Sequence, residues 1–394
     1  MTLRSWTCGS AVLFSLIACS GSDGSNAKSN SNSGLSSGGS SGHGGSPSSS
    51  AGSSTASVGS SSSNGGSSSS NGGSSSSTGG SSSSNAGSSS ANGGNTAMGG
   101  ASSASLPTIG GCTIFTADDA WNSSVANETV NDAWNTKLQA LVGAVNIHPD
   151  YGPDFGIPIN VVPATQTKST VSFDISDESD PGPYAFPDSS TALLEGGTAA
   201  SCDGDCHLLS VEQGACMLYE GYGCSYQNGW QCGSGAIFDL KKNSYGQRPI
   251  GWTSADAAGL SVAAGVIRYD EAAAGAIHHA IRFTAPCTLP SYVKPASHEA
   301  VPSKPPGCPG NPNAVPMGLR VRLDSSFKLS GGSSLAQAVV SAMQTYGMIL
   351  ADNGSSFDFQ GEPNAKWNDD QDIEPLKQIP ASAFKVVTVP PLQP

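Results

Sequence analysis

Short runs of β-branched and aromatic residues recur along the chain after residue 105, each bounded by Gly, Pro, Asn or Asp. They fall at 170–175, 207–211, 217–220, 236–240, 266–269, 277–284, 318–323 and 385–389, and each has the length and edges of a strand. So many short strands with turns between them predict a mainly β fold: a β-sandwich or a distorted, jelly-roll-like barrel with two or three short helices. Two helices stand out by period. Asn131 is placed to cap one that carries Trp134, Leu138, Leu141 and Val142 on one side and stops at Gly143. Ser333 or Ser334 caps the other, which carries Leu335, Val339, Ala342 and Tyr346 and stops at Gly347. That helix leads into an apolar run at 348–351 and then Asp352-Asn353-Gly354, a tight turn before the alternating Phe357-Asp358-Phe359. The pattern predicts a helix followed by a hairpin.

Before residue 106 the pattern is different. Residues 20–105 are almost entirely Gly, Ser, Asn, Ala and Thr, with no aromatic residue and only Asp23 and Lys28 charged. Such a stretch buries too little apolar surface to offset backbone entropy, so a disordered tether is expected, with an r.m.s. span of roughly 50 Å. Residues 1–19 read as an address: Arg4 precedes a short apolar core, and Leu16-Ile17-Ala18-Cys19 resembles the lipobox of bacterial lipoproteins, whose cysteine is diacylated. The alternative is a plain secretory signal cut near Ala18. The expected layout is a signal at 1–19, a tether at 20–105 and one globular β-rich domain at 106–394. It implies a monomer lipid-anchored through Cys19 at the bacterial outer membrane or cell surface.

Charge and cysteine content agree with an exported protein. With Arg4, Lys28 and Asp23 set aside, 15 basic and 29 acidic side chains remain after residue 105, a net of −14 with His neutral. So acidic a domain repels phosphate backbones, and no nucleic-acid partner is expected. Beyond Cys8 and Cys19 eight cysteines remain, an even number that reads as four disulfides. Proximity favours Cys287 with Cys308. A zinc site around Cys202, Cys206 and His207 is the competing reading, but the spacing is looser than the usual two-plus-two ligand pattern.

The segments YGPDFGIP (151–158), SDESDPGPY (176–184), GAIFDL (235–240), RPIGWTSADAAGL (248–260), RYDE (268–271), HAIRFT (279–284), PMGLRVRL (316–323) and YGMILADNG (346–354) resemble a family of exported bacterial proteins of uncharacterised function. The resemblance covers nearly all of residues 151–387 and implies a shared fold, with no implication for chemistry. The Cys-rich stretch 202–232 looks like an elaboration on it, so no shared site is expected on its disulfides.

Candidate chemistry therefore rests on polar residues in the strand pattern. Alternation over 277–284 puts Ile277, His279, Ile281 and Phe283 on one face and His278, Ala280, Arg282 and Thr284 on the other. His279 is a core histidine or a cleft residue on that reading. Arg320 and Arg322 share a face, either to bind a carboxylate or sulfate or to meet solvent and acids. In the run Trp252–Gly259, Thr253 or Ser254 caps a helical turn. Asp256 is then either a dipole-complementing acid or a carboxylate beside the Trp252 platform. Arg268 and Asp270 alternate onto one face. Asp352 is a turn residue or an acid. Asp177, Glu178 and Asp180, and Asp369, Asp370, Asp372 and Glu374, make calcium conceivable, although neither group has EF-hand spacing and no other metal or cofactor is implied.

Missing motifs narrow the reaction. After residue 105 there is no Gly-x-Ser-x-Gly, no His-Glu-x-x-His, no Gly-x-x-x-x-Gly-Lys and no dinucleotide fingerprint. Carboxylates, His, Arg, Tyr and Trp remain, the vocabulary of glycoside hydrolases and polysaccharide lyases. The expectation is action on an extracellular polysaccharide. Asp256, His279 and Asp352 are the catalytic candidates, and Trp252, Arg268, Arg282 and Arg320 hold substrate. The alternative is a non-catalytic glycan-binding or adhesion module.

Overall fold

The structure, a computed structural model, describes residues 105–300 and 308–394. The signal and lipobox at 1–19 with Cys19, the tether and residues 301–307 lie outside the described residues.

Both periodic helices form where their caps place them. α1 spans Asp132–Val142, with the Asn131 side chain accepting the Trp134 N–H at 3.2 Å, and buries Leu138 and Val142. α4 spans Ser334–Thr345, with Ser333 accepting the N–H groups of Leu335 and Ala336, and buries Val339, Ala342 and Met343. Gly347 follows at φ 71°, where a Cβ would strike the Val321 carbonyl, so glycine is required there.

Mainly β structure follows from the strand runs, in several mixed sheets, one of them curled as a half-barrel, with few short helices. A four-stranded sheet has the order Ser234–Asp239, Met217–Tyr222, Leu208–Glu212, Ile159–Val162. A six-stranded sheet has the order Phe384–Val386, Arg320–Leu323, Met348–Asn353, Ile281–Ala285, Asp358–Gln360, His148–Asp150. One apolar core takes Leu209, Leu218 and Phe238 from the first sheet and Ile281, Phe283 and Met348 from the second. A smaller one gathers Tyr184, Phe186, Tyr219 and Trp230 beside Cys224 and Cys232.

Three local expectations are corrected. Met348–Asn353 and Asp358–Gln360 do not pair as a hairpin, because Ile281–Ala285 lies between them, parallel to the first and antiparallel to the second. All five of its residues are buried, and a strand covered on both faces belongs at the centre of a sheet. Residues 266–269 form no strand. α2 (Val262–Gly265) and α3 (Tyr269–Ala273) flank a single bridge at Ile267, and Glu271 draws the start of α3 closed by accepting the Arg268 N–H at 3.0 Å. The run 277–284 is strand only from Ile281, so His278 and His279 precede it in irregular chain.

All eight cysteines pair, as Cys112–Cys216, Cys202–Cys206, Cys224–Cys232 and Cys287–Cys308. Disulfides, not a thiolate zinc site, are what the even count encodes. Among the described residues no helix is long and apolar enough to cross a membrane.

Candidate active site

The segment around Asp256 is a tight turn and not the helical turn its sequence predicts. Ser254 Oγ accepts the Asp256 N–H at 2.9 Å, and Gly259 donates its N–H to the Asp256 carbonyl at 3.0 Å. Ala258 then donates to the Ala351 carbonyl at 2.9 Å, which ties the turn to the strand Met348–Asn353. The Asp256 carboxylate therefore faces the central strand and has no helix dipole to complement. Arg282 grips it with both arms, Nη2 to Oδ1 at 2.7 Å and Nε to Oδ2 at 3.2 Å, and donates Nη1 to Gln360 Oε1 at 2.5 Å. Asp256 and Arg282 are both buried, at 1% and 3% exposure. Burial would lower the Arg282 pKa, but the Asp256 carboxylate overrides it and the guanidinium stays charged.

Asp352 completes the group from the end of Met348–Asn353. Its carboxyl accepts the N–H groups of Asn353 at 2.6 Å and Ala257 at 3.3 Å, keeps partial solvent access, and lies within hydrogen-bonding reach of Asp256. Burial, and after it the Asp256 charge, lift its pKa well above the ordinary carboxylate range against the pull of Arg282. Two neighbouring carboxyls beside one arginine are thus unequal: Asp256 is ion-paired with Arg282, while Asp352 is pushed toward its neutral form.

A cleft of about 360 Å³ opens beside this group, with Gln360 in its wall together with Asp150, Phe155, Glu195, Asp205 and Asp358. Asp203 also lines it, giving five acids and no Lys or Arg. The strand pairing that aligns Asp358 with His148 and Gln360 with Asp150 sets one wall. The other wall comes from the small sheet Leu193–Leu194, Gly197–Thr198, Ser201–Cys202, pinned by Cys202–Cys206 and by the Glu195 N–H donating to the His207 carbonyl at 3.1 Å. The first disulfide of the Cys-rich stretch thus closes the loop that carries Asp205. His207, buried behind that loop, meets Glu195 Oε2 through Nδ1 and the Ala255 carbonyl through Nε2 at 2.9 Å, with the Tyr222 ring centred 5.6 Å away.

Burial raises the carboxyl pKa of Asp150, Asp205 and Asp358, the last to about 6. For Asp150 the Glu195 charge adds to burial. Burial pushes Glu195 up as well, but His207 and Arg282 outweigh it and hold Glu195 below its ordinary value.

Of the residues singled out by sequence, the structure brings Asp256, Arg282 and Asp352 together and places the others elsewhere. His279 is fully buried, its Nε2 on Glu271 Oε1 at 2.8 Å and its Nδ1 on the Ala280 carbonyl at 2.7 Å. Arg268 binds the same Glu271, Nη2 to Oε2 at 2.5 Å. Arg320 donates to the carbonyls of Tyr346 and Ser123, at 2.6 and 2.7 Å from Nη2, and Arg322 holds the carbonyls of Val125 and Ala126. Trp252 lies under the Arg248 guanidinium, 5.5 Å from its ring centre, and is not part of the cleft lining. Of the acids considered for calcium, four have structural partners: Asp180 pairs with Arg248, Glu178 accepts the Thr253 N–H at 3.1 Å, Asp372 accepts from Ser333 and Asn368, and Glu374 pairs with Lys377.

Sequence reading missed Asp150, Phe155, Glu195, Asp205, Asp358 and Gln360. Phe155 lies inside the YGPDFGIP segment and Asp150 just before it. Glu195, Asp205 and Gln360 carry no local signal. Comparison of the chain with protein-family models, with curated proteins and with solved structures finds no match.

Proposed function

We propose that the cleft hydrolyses a neutral extracellular glycan. The observation that carries this reading is the gathering of carboxyls at and beside the cleft, with Asp352 against the Asp256–Arg282 pair and Asp150 in the cleft wall, since glycosidic cleavage needs two carboxyl groups at the same bond. Asp352, protonated above the Asp256–Arg282 pair, gives its proton to the leaving glycosidic oxygen. Asp150 has no hydrogen-bond or ion-pair partner among the described residues, and its raised basicity suits it to take the proton of the water that attacks the anomeric carbon. Phe155, 49% exposed at the rim, offers an apolar face to a sugar ring.

Charge favours a hydrolase over a lyase. A lyase must neutralise a uronate, yet five acids line this cleft, and Arg282 is already committed to Asp256 and Gln360. A glycan-binding module has no use for a protonated carboxyl stacked on an ion pair. The four disulfides suit an oxidising exterior. A lipid anchor at Cys19 and kinship with the exported bacterial family belong to the same proposal. So does the finer fold, in which the four- and six-stranded sheets around one core act as the two faces of a distorted sandwich.

The test is incubation of the full chain with a panel of neutral and acidic glycans, alongside Asp352→Asn. The native protein should release reducing ends from neutral glycans with no unsaturated product. The variant should lose about 10²–10⁴-fold in turnover at unchanged Tm. Unsaturated ends would make the protein a lyase, and retention of intact glycan would make it a binding module.

A further inference from the structure

We infer that Glu195, Asp205 and His207 form a binding site for one divalent transition cation of the zinc or manganese kind, on the wall of the same cleft. One carboxylate oxygen from each acid and a ring nitrogen of His207 all lie within 4.8 Å of one another. The orientation of the imidazole supports ligation. A backbone carbonyl only accepts, so the Ala255 carbonyl at 2.9 Å holds a proton on Nε2 and turns Nδ1 toward Glu195, where a cation would take the place of the proton that Nδ1 shares with that carboxylate. A ligating histidine is oriented in this way, by a carbonyl behind the ring.

The rest of the cluster fits the same assignment. The Asp205 carboxylate lines the cleft and has no hydrogen-bond or ion-pair partner among the described residues. Asp150, Asp203 and Asp358 surround the position with His148 but no Lys or Arg in the lining, so a cation there relieves a concentration of like charge. The small sheet and Cys202–Cys206 fix the spacing of the two acids, while His207 comes from the head of the neighbouring strand Leu208–Glu212. Ligand atoms on one tetrahedral ion stand roughly 3.3 Å apart for bonds of about 2.0–2.1 Å, so Glu195 needs only to swing back from Nδ1 by about an ångström. A nitrogen donor among two carboxylates favours zinc or manganese over calcium or magnesium, which take oxygen. The three protein ligands leave further positions open to the cleft, where water or a sugar hydroxyl can bind.

This site stands beside the hydrolytic reading and is measured without substrate, so the two can fail separately. The chelator-stripped full chain is titrated with ZnCl2, MnCl2 and CaCl2 by calorimetry, and Tm is recorded with each ion. Zinc or manganese should bind at one equivalent per chain and raise Tm. Asp205→Asn, an exposed change that leaves the core intact, and His207→Gln should each weaken binding by about 10–100-fold or more. No stoichiometric binding, binding of calcium alone, or zinc affinity unchanged in Asp205→Asn would overturn the assignment.

Discussion

Two buried polar groups flank the central strand region, and they differ in what their charges have left over. Around Glu271 the chain is closed on itself: the carboxylate receives the Arg268 backbone N–H, the Arg268 guanidinium and the His279 imidazole. Around Asp256 the arginine is equally committed, but a second carboxyl, Asp352, sits on the pair with its pKa pushed up by burial and by the Asp256 charge, and the adjoining cleft adds five more acids. In the first group each charge meets an opposite charge, with only Arg268 Nε left unpartnered. The second sets a carboxyl of raised pKa beside a cleft whose Asp150, Asp203 and Asp205 carboxyls have no hydrogen-bond or ion-pair partner among the described residues, the condition under which acid–base chemistry is possible. A perturbed ionisable residue thus points to function when its partners fall short, and to structure when they suffice.

That contrast can be broken most forcefully at Arg282. Arg282→Leu leaves Asp256 buried without its counter-ion, so unfolding in urea should show a loss of about 3–5 kcal/mol, with glycan turnover abolished in the remaining folded fraction. A loss below about 1 kcal/mol would mean that the pair is better solvated than its burial indicates.

Glu271→Gln sharpens the comparison from the other side. Removing charge-assisted bonds from Arg268 and His279 should cost about 1.5–3 kcal/mol of stability while turnover per folded molecule stays at the native level. Collapse of turnover at unchanged stability would move the functional centre to Glu271 and His279, as His279's place among the sequence candidates implied.

The smallest effect is a pH dependence at the cleft. Asp358 has its folded pKa raised from 3.8 to about 6, chiefly by burial, so between those values the folded chain holds a proton that the unfolded chain has released. Stability from this group is present below about pH 4 and is lost as pH rises through about 6. Tm across that window should fall less steeply in Asp358→Asn than in the native protein. An identical slope would show that Asp358 ionises freely and that the cleft is wetter than its lining suggests.

The sequence by itself determined the mainly β character, both capped helices and the oxidation of the eight cysteines into disulfides, though not which cysteines pair beyond Cys287 with Cys308. These are local signals: a cap and its N–H donors lie within three residues, as at Asn131 and Ser333, and an even cysteine count needs no geometry. Asp256, Arg282 and Asp352 were legible as unusual residues in distinctive segments, but not as neighbours. Only the tertiary structure decided that Ile281–Ala285 enters between two strands that read as a hairpin, which brings Arg282 beside both Asp256 and Gln360. It also separated His279 from that group by starting the strand two residues after it, and it drew Glu195, Asp205 and His207 to one point through a disulfide and a sheet register. The physical reason is the range of the interactions. Caps and turns are satisfied within a few residues, whereas a buried carboxylate is stabilised by whichever cation the fold brings to it, and sequence spacing does not encode that partner.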